Sequence, residues 1–241
     1  MRTILFSGSG TGVGKTRVTG AFAALLAQVG CTVQVVKAVE TGVLPGTPGD
    51  ALQAVALAAA VSPASAARIA AYTLFSFREA LAPVSAARLE GRALSLRELV
   101  AAVDALPSCD ARLVEGSGGL AAPIDASLAD WVDFAMLVRA DASVLVVENC
   151  LGAIHHARLL AAYCRSRQLP EPYFWLNETT PCGEGVRFSN RENLAASSCR
   201  VLAEQGSGEI IPADCAALES FLRSLSLPVG NSGSRPTPGT R

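Results

Sequence analysis

The sequence predicts an α/β fold, a mostly parallel sheet with helices on both faces. Three observations carry that expectation. Short apolar runs recur along the chain without the polar alternation of a half-exposed strand, and stretches rich in Ala and Leu separate them. The first run passes through a glycine-rich turn directly into a helical pattern. Strands that are apolar on both sides must be covered on both sides, which is the condition of a parallel sheet between two helical layers.

The elements follow in order. Residues 3–7 form a buried strand, and residues 15–29 a helix that stops at Gly30, where glycine removes the steric cost of a helix C-terminus. Residues 32–36 give a second strand that closes a first βαβ unit. Residues 50–60 and 94–106 have helical composition. Residues 112–115, 143–147 and 173–176 read as further buried strands, residues 209–211 as a short last one, and residues 130–139 and 153–168 as helices between them. One domain over residues 1–228 is expected. The segment 229–241 has the composition of a disordered tail.

The turn after the first strand reads Gly-Ser-Gly-Thr-Gly-Val-Gly-Lys-Thr from residue 8 to residue 16. Glycines let the backbone curl so that successive N–H groups face an anion, and the following helix offers its positive end to the same place. A lysine at the end of such a loop reaches the β- and γ-phosphates, and the next hydroxyl can ligate magnesium. The expectation is a P-loop NTPase with Gly12, Val13, Gly14, Lys15, Thr16 and Arg17 on the nucleotide. The leading Gly8 lies six residues before Gly14, one more than the standard spacing. The bland alternative is a glycine-rich turn that binds nothing.

Four further clusters stand downstream. Val36-Lys37-Ala38-Val39-Glu40-Thr41-Gly42 ends the second strand, and Gly49-Asp50 opens a helix. Val114-Glu115-Gly116-Ser117-Gly118-Gly119 ends the next strand, and Leu151-Gly152-Ala153-Ile154-His155-His156 follows the one after. In an open parallel sheet, ligands collect at the carboxyl ends of the strands, where these clusters can converge. Read singly, each has a plainer role: Lys37 as a solvated lysine, Asp50 as a helix cap, His155 and His156 as surface residues, Asn177 as a turn residue.

These motifs, in this order and at these intervals, resemble the dethiobiotin synthetase family, whose loop has the same six-residue glycine interval. The resemblance runs from about residue 2 to about residue 215. It implies that 7,8-diaminopelargonate is carboxylated by CO2, that ATP phosphorylates the carbamate, and that the second amine closes a cyclic urea. It further implies that Lys15, Lys37 and Thr11 are catalytic, with Thr11 and Thr41 bonding the carbamate or substrate nitrogens. Gly118 joins the substrate site, and the substrate carboxylate is received at the helix start Leu151, Gly152, Ala153, Ile154 and His155 of a partner subunit in a homodimer. Asn177 matches an adenine-reading position, and Pro212 belongs to a Gly-Glu-Ile-Ile-Pro segment like the one that closes the adenine pocket. Mg2+ is the implied cofactor, held by the hard oxygens of Thr16, Asp50 and Glu115, with ATP as co-substrate. Gly10, Ala38, Glu40, Glu148 and Cys150 depart from the family pattern. Two other readings share the loop: another ATP-dependent amide-forming synthase, and a partition-type ATPase switch.

Composition narrows the partners. The chain of 241 residues is 50% hydrophobic with a net charge of −1, so no basic surface invites nucleic acid or an anionic membrane. Its 7 cysteines lack any Cys-x-x-Cys pair, and only 2 histidines are present, which suits reduced thiols better than a disulfide framework or a zinc site. No signal segment or apolar span of membrane length is read, so a cytoplasmic location is expected.

Overall fold

The computed structural model describes residues 1–44, 46–197 and 199–229. The expected disordered tail lies, from residue 230 onward, outside the described residues. In chain order the elements are β1 (Arg2–Gly8), α1 (Lys15–Gln28), β2 (Val33–Thr41), α2 (Asp50–Val61), α3 (Pro63–Ala66), β3 (Ile69–Phe77), α4 (Pro83–Leu89) and α5 (Leu96–Asp104). They continue as β4 (Ala111–Glu115), α6 (Trp131–Leu137), β5 (Ala142–Glu148), α7 (Ala153–Ser166), β6 (Tyr173–Asn177), α8 (Glu184–Ala195), β7 (Arg200–Gln205) and α9 (Ala216–Ser224).

The strands form one parallel sheet in the order β3-β2-β4-β1-β5-β6-β7. From β1 the chain first builds outward on one side and then, from β5, on the other. The turn after β1 therefore sits where the strand order reverses, the place at which an open α/β sheet leaves a crevice. Successive side chains of each strand enter opposite cores, as the period of two requires. Leu5, Val36, Val114, Leu145 and Leu176 pack with α5, α6 and α7. Ile4, Phe6, Val35, Leu113, Val146 and Trp175 pack with α1 and α9, where Phe22 meets Phe6, Trp175 and Phe221 at centroid distances of 5.2, 6.3 and 6.0 Å.

Three local expectations are corrected. β4 lies between β1 and β2, so the first two strands are not neighbours. β2 runs on to Thr41 because β3, an unforeseen edge strand, pairs with it as far as Thr41↔Phe77, and Lys37 is therefore mid-strand. The last strand is β7, not residues 209–211. The carbonyls of Glu209 and Ile210 accept side-chain hydrogen bonds from Gln205 at 3.0 and 2.8 Å, and that segment joins no ladder.

Candidate active site

The glycine loop leaves β1 and wraps the start of α1. Gly14 has φ 89°, a left-handed conformation that L side chains resist, and a Cβ there would collide with the Asn177 side-chain amide. That amide is fully buried and donates to Val13 O at 2.9 Å, so the end of β6 braces the loop from behind. Lys15 Nζ donates to Gly10 O at 2.7 Å and so lies folded along the loop. Burial, and next the nearby charge of Lys37, lower its pKa to about 8.

Lys37 comes from the strand two places over, by way of β4. The register sets Lys37 opposite Glu115, the last residue of β4. Its Nζ lies 2.7 Å from Glu115 Oε1, 2.6 Å from Asp50 Oδ2 and 3.2 Å from Gly116 O. Burial alone would lower the pKa of this lysine, but the two carboxylates outweigh it and the net shift is upward. Thr16 Oγ1 donates to the same Glu115 Oε1 at 3.0 Å. Gly116 is required by packing, since a Cβ there would fall 2.7 Å from the Trp131 ring.

Asp50 is carried on the first turn of α2. Glu40 Oε1 accepts from the Asp50 N–H at 2.6 Å, so the glutamate that departs from the family pattern anchors the helix start that presents Asp50. The departure at Glu148 is likewise absorbed locally, by a hydrogen bond from Thr179 Oγ1.

These groups open onto one cleft of about 830 Å3, and the expected residues Thr11, Gly12, Gly14, Lys15, Thr16, Lys37, Thr41, Asp50, Glu115 and Gly118 line it. Ser117, which the sequence placed in a converging cluster without a role, also lines it, and so does the segment 80–83 leading into α4, which was not anticipated. The usable signal was Pro83, at a favoured first helical position. Four expected nucleotide residues do not line it. Val13 and Asn177 face each other behind the loop, Pro212 is buried beyond β7, and Arg17 points to the ends of β6 and β7. Gly152, Ile154 and His155 line a separate concavity of about 750 Å3, while Ala153 is buried and Leu151 is 83% exposed.

The arrangement suits a cation held among oxygens. Glu115 Oε2 is buried without a hydrogen-bond partner, and it shares its carboxylate with the oxygen that Thr16 and Lys37 contact. A buried acceptor left over in this way is costly unless a ligand satisfies it. Among the described residues no cluster of three or more His, Cys, Asp and Glu stands ready for a metal. Magnesium is commonly bound by one or two carboxylates together with substrate phosphates, which fits Asp50, Glu115 and the Thr16 hydroxyl.

The family profile described as an AAA domain matches residues 2–204. An ATP-dependent dethiobiotin synthetase BioD of Streptomyces coelicolor is 41% identical over 71% of this chain and 69% of its own length. The protein of that name from Anaeromyxobacter sp. is 37% identical over 81% of this chain and 89% of its own length. The chain belongs to the dethiobiotin synthetase family. Solved structures are similar at the level of fold: a plasmid partition protein from Borrelia burgdorferi superposes with a TM-score of 0.59 at 13% identity, covering 92% of this chain and 98% of that one. The septum site-determining protein MinD of Pyrococcus horikoshii does so with 0.53 at 17%, covering 94% and 85%. The glycine loop and the Lys37–Glu115 pair border one and the same cleft. No helix among the described residues is long and apolar enough to cross a membrane.

Proposed function

We propose that this chain is an ATP-dependent dethiobiotin synthase that converts 7,8-diaminopelargonate, CO2 and ATP into dethiobiotin, ADP and phosphate. The observation that carries the reading is the second lysine, Lys37, held beside Glu115 and Asp50 in the same cleft as the phosphate loop.

The chemistry asks for such a lysine. One amine of the substrate and CO2 form a carbamate, whose oxygen attacks the γ-phosphorus while the bond to ADP breaks. Two anions must approach, so cations aimed at the developing charge lower the barrier. Lys15 neutralises the transferring phosphoryl group, and Lys37 holds the carbamate. Magnesium bound at Thr16, Asp50 and Glu115 would supply further charge neutralisation at the phosphates. The second amine then attacks the carbonyl of the mixed anhydride, phosphate leaves, and the cyclic urea closes. Thr11, Thr41 and Gly118 line the cleft where the diamine is positioned. Gly12, Val13, Gly14 and Thr16 shape the loop around the triphosphate, and Arg17, Asn177 and Pro212 belong to its nucleoside side.

The substrate carboxylate has no cationic partner assigned in this cleft. The start of α7, with exposed Leu151 and His155 beside Gly152, supplies backbone donors in a second concavity. A homodimer in which this helix start of one copy meets the cleft of the other supplies the missing contact. Mixing inactive Lys37→Ala chains with inactive Gly152→Pro chains tests it: mixed dimers regain about half of one native dimer's sites, whereas a monomeric enzyme regains nothing.

The reaction itself is tested with purified protein, diaminopelargonate, bicarbonate, ATP and magnesium. Phosphate release that requires the diamine, with dethiobiotin found by mass spectrometry, is the expected result. Hydrolysis independent of the diamine would overturn the reading.

A further inference from the structure

Groups from three different elements meet at one point of the cleft. Lys37 on β2 and Glu115 at the end of β4 are set opposite each other by the strand register, and Asp50 joins them from the first turn of α2. Lys37 Nζ sits between the two carboxylates, 2.7 Å from Glu115 Oε1 and 2.6 Å from Asp50 Oδ2. Those residues are two of the three read above as the metal's ligands. The third, Thr16, donates from Oγ1 to the same Glu115 oxygen at 3.0 Å. The ammonium therefore stands within the ligand set itself.

The consequence is one of charge. Glu115 Oε2 has no hydrogen-bond partner, so lone pairs remain for a metal. What Lys37 removes is the attracting field. Lys15, folded onto Gly10 O and close enough to feel Lys37, adds a second positive charge. Two ammonium groups against Asp50 and Glu115 leave no surplus of negative charge among the four. Glu40 is the next acidic group, and its oxygens face the Asp50 N–H at 2.6 Å and Thr73 Oγ1 at 3.5 Å, outside the cleft lining. A divalent cation brought within a few ångströms of Lys37 is repelled, and burial of the pair weakens the screening by water and salt. A bound triphosphate reverses the balance, because its negative charges outnumber both lysines.

We infer that Lys37 is the resident counter-ion of the metal site. It keeps divalent cations off Asp50 and Glu115 until a nucleotide brings the charge that outweighs it, so that metal enters this cleft only together with nucleotide. This rests on the reading of Thr16, Asp50 and Glu115 as the metal's ligands. It gives Lys37 a task that precedes the chemistry and is distinct from holding the carbamate.

The test uses Mn2+, a paramagnetic stand-in for magnesium, added to the full chain without nucleotide, with bound metal read from the loss of the free-ion electron paramagnetic resonance signal. Wild type is expected to bind with a Kd weaker than about 100 μM, and Lys37→Met at least about tenfold more tightly than wild type. Adding Glu115→Gln should abolish that gain, which locates it at this site. Lys37→Arg restores the charge and should bind as weakly as wild type. A tight site in wild type, an equal Kd in folded Lys37→Met, a gain that survives Glu115→Gln or an equal gain in Lys37→Arg would each overturn the inference. Lys37→Gln takes the place of Lys37→Met should that variant not fold, and the wild-type Kd tests the point by itself. No diamine and no turnover enter the measurement. Failure to form dethiobiotin therefore sinks the proposed reaction and leaves this inference standing, while an equal Kd does the reverse.

Discussion

Lys37 and Glu115 face each other across paired strands β2 and β4, 2.7 Å apart and both almost wholly buried. Removing one member of such a pair strands the other, which costs about 3–5 kcal/mol, whereas removing both charges together costs far less. Here Lys37 also serves Asp50, so its loss leaves two carboxylates facing each other beside the phosphate loop. Lys37→Ala should lose at least about 1,000-fold in turnover, the scale of one essential electrostatic contact. It should still bind ATP, measured calorimetrically. Adding Glu115→Gln should recover much of the lost thermal stability and none of the activity. Wild-type turnover in Lys37→Ala would remove this lysine from the mechanism.

The pKa of Lys15, brought down to about 8 by burial and by Lys37, makes nucleotide binding pH-dependent near neutrality. The triphosphate needs the charged lysine, so binding holds the proton on. Below about pH 8 the free protein already carries it, and affinity is flat. Above that value each binding event must take up a proton, and affinity falls as pH rises. The sign for the empty protein is opposite. A lysine whose folded pKa is depressed disfavours folding while protonated, and stability is regained as pH rises from the folded value toward the unfolded one. Between pH 7 and 9 the KM for ATP should rise several-fold, and calorimetry at pH 8.5 in buffers of different ionisation enthalpy should show proton uptake. No uptake would mean that Lys15 is charged throughout that range.

What could be read from the sequence divides along the range of the forces involved. The loop and the helix after it are local, since glycines, Lys15 and Thr16 need only their neighbours to form an anion cradle, and the buried strands announce themselves by unbroken apolar runs. β3 did not, because at the sheet edge its side chains are only partly buried and its Ala and Ser positions weaken the pattern. Missing β3 hid two further features: the extension of β2 that makes Lys37 a mid-strand residue, and the segment 80–83 on the cleft wall. Glu40 looked like an unwanted charge in the strand motif. Its partner, the Asp50 N–H, comes from a separate element, and only folding brings the two together. The mistaken strand at residues 209–211 has a related origin, since the carbonyls of Glu209 and Ile210 accept from the Gln205 side chain and not from a ladder.

Glu40 gives a prediction of its own. By accepting the Asp50 N–H at 2.6 Å it satisfies one orphan donor of α2 and places a negative charge at the positive end of the helix. Glu40→Ala should cost about 1 kcal/mol of stability, the usual worth of a cap. Because the same contact sets Asp50, the magnesium concentration giving half-maximal activity should rise by roughly 5-fold, corresponding to about 1 kcal/mol. Glu40→Gln keeps an acceptor and should restore the magnesium response better than Ala does. An unchanged magnesium response in Glu40→Ala would confine this residue to holding the helix.

Far from the cleft, Arg112 tests how the sheet floor is held. Its side chain is buried, yet its hydrogen bonds run to neutral groups: Gln34 Oε1 at 2.9 Å, Val103 O at 2.8 Å, Leu106 O at 3.2 Å and Pro107 O at 3.0 Å. The carbonyls lie at and just beyond the C-terminus of α5, where the helix dipole is negative and acceptors lack intrahelical partners. A guanidinium suits that place because its planar fork meets several carbonyls at once. Arg112→Met keeps much of the apolar bulk and deletes every donor, leaving those carbonyls and the Gln34 amide oxygen without it. The expected loss is about 2–4 kcal/mol, or a fall in Tm of roughly 5–15 °C for a domain of this size. Activity per folded molecule at 20 °C should be unchanged, since Arg112 touches nothing in the cleft. Arg112→Lys should recover only part of the stability, because one ammonium cannot reach the three carbonyls at the end of α5 and the Gln34 amide oxygen on β2 at once. A variant as stable as wild type in thermal unfolding would show that the α5 carbonyls find solvent as good a partner as the buried arginine.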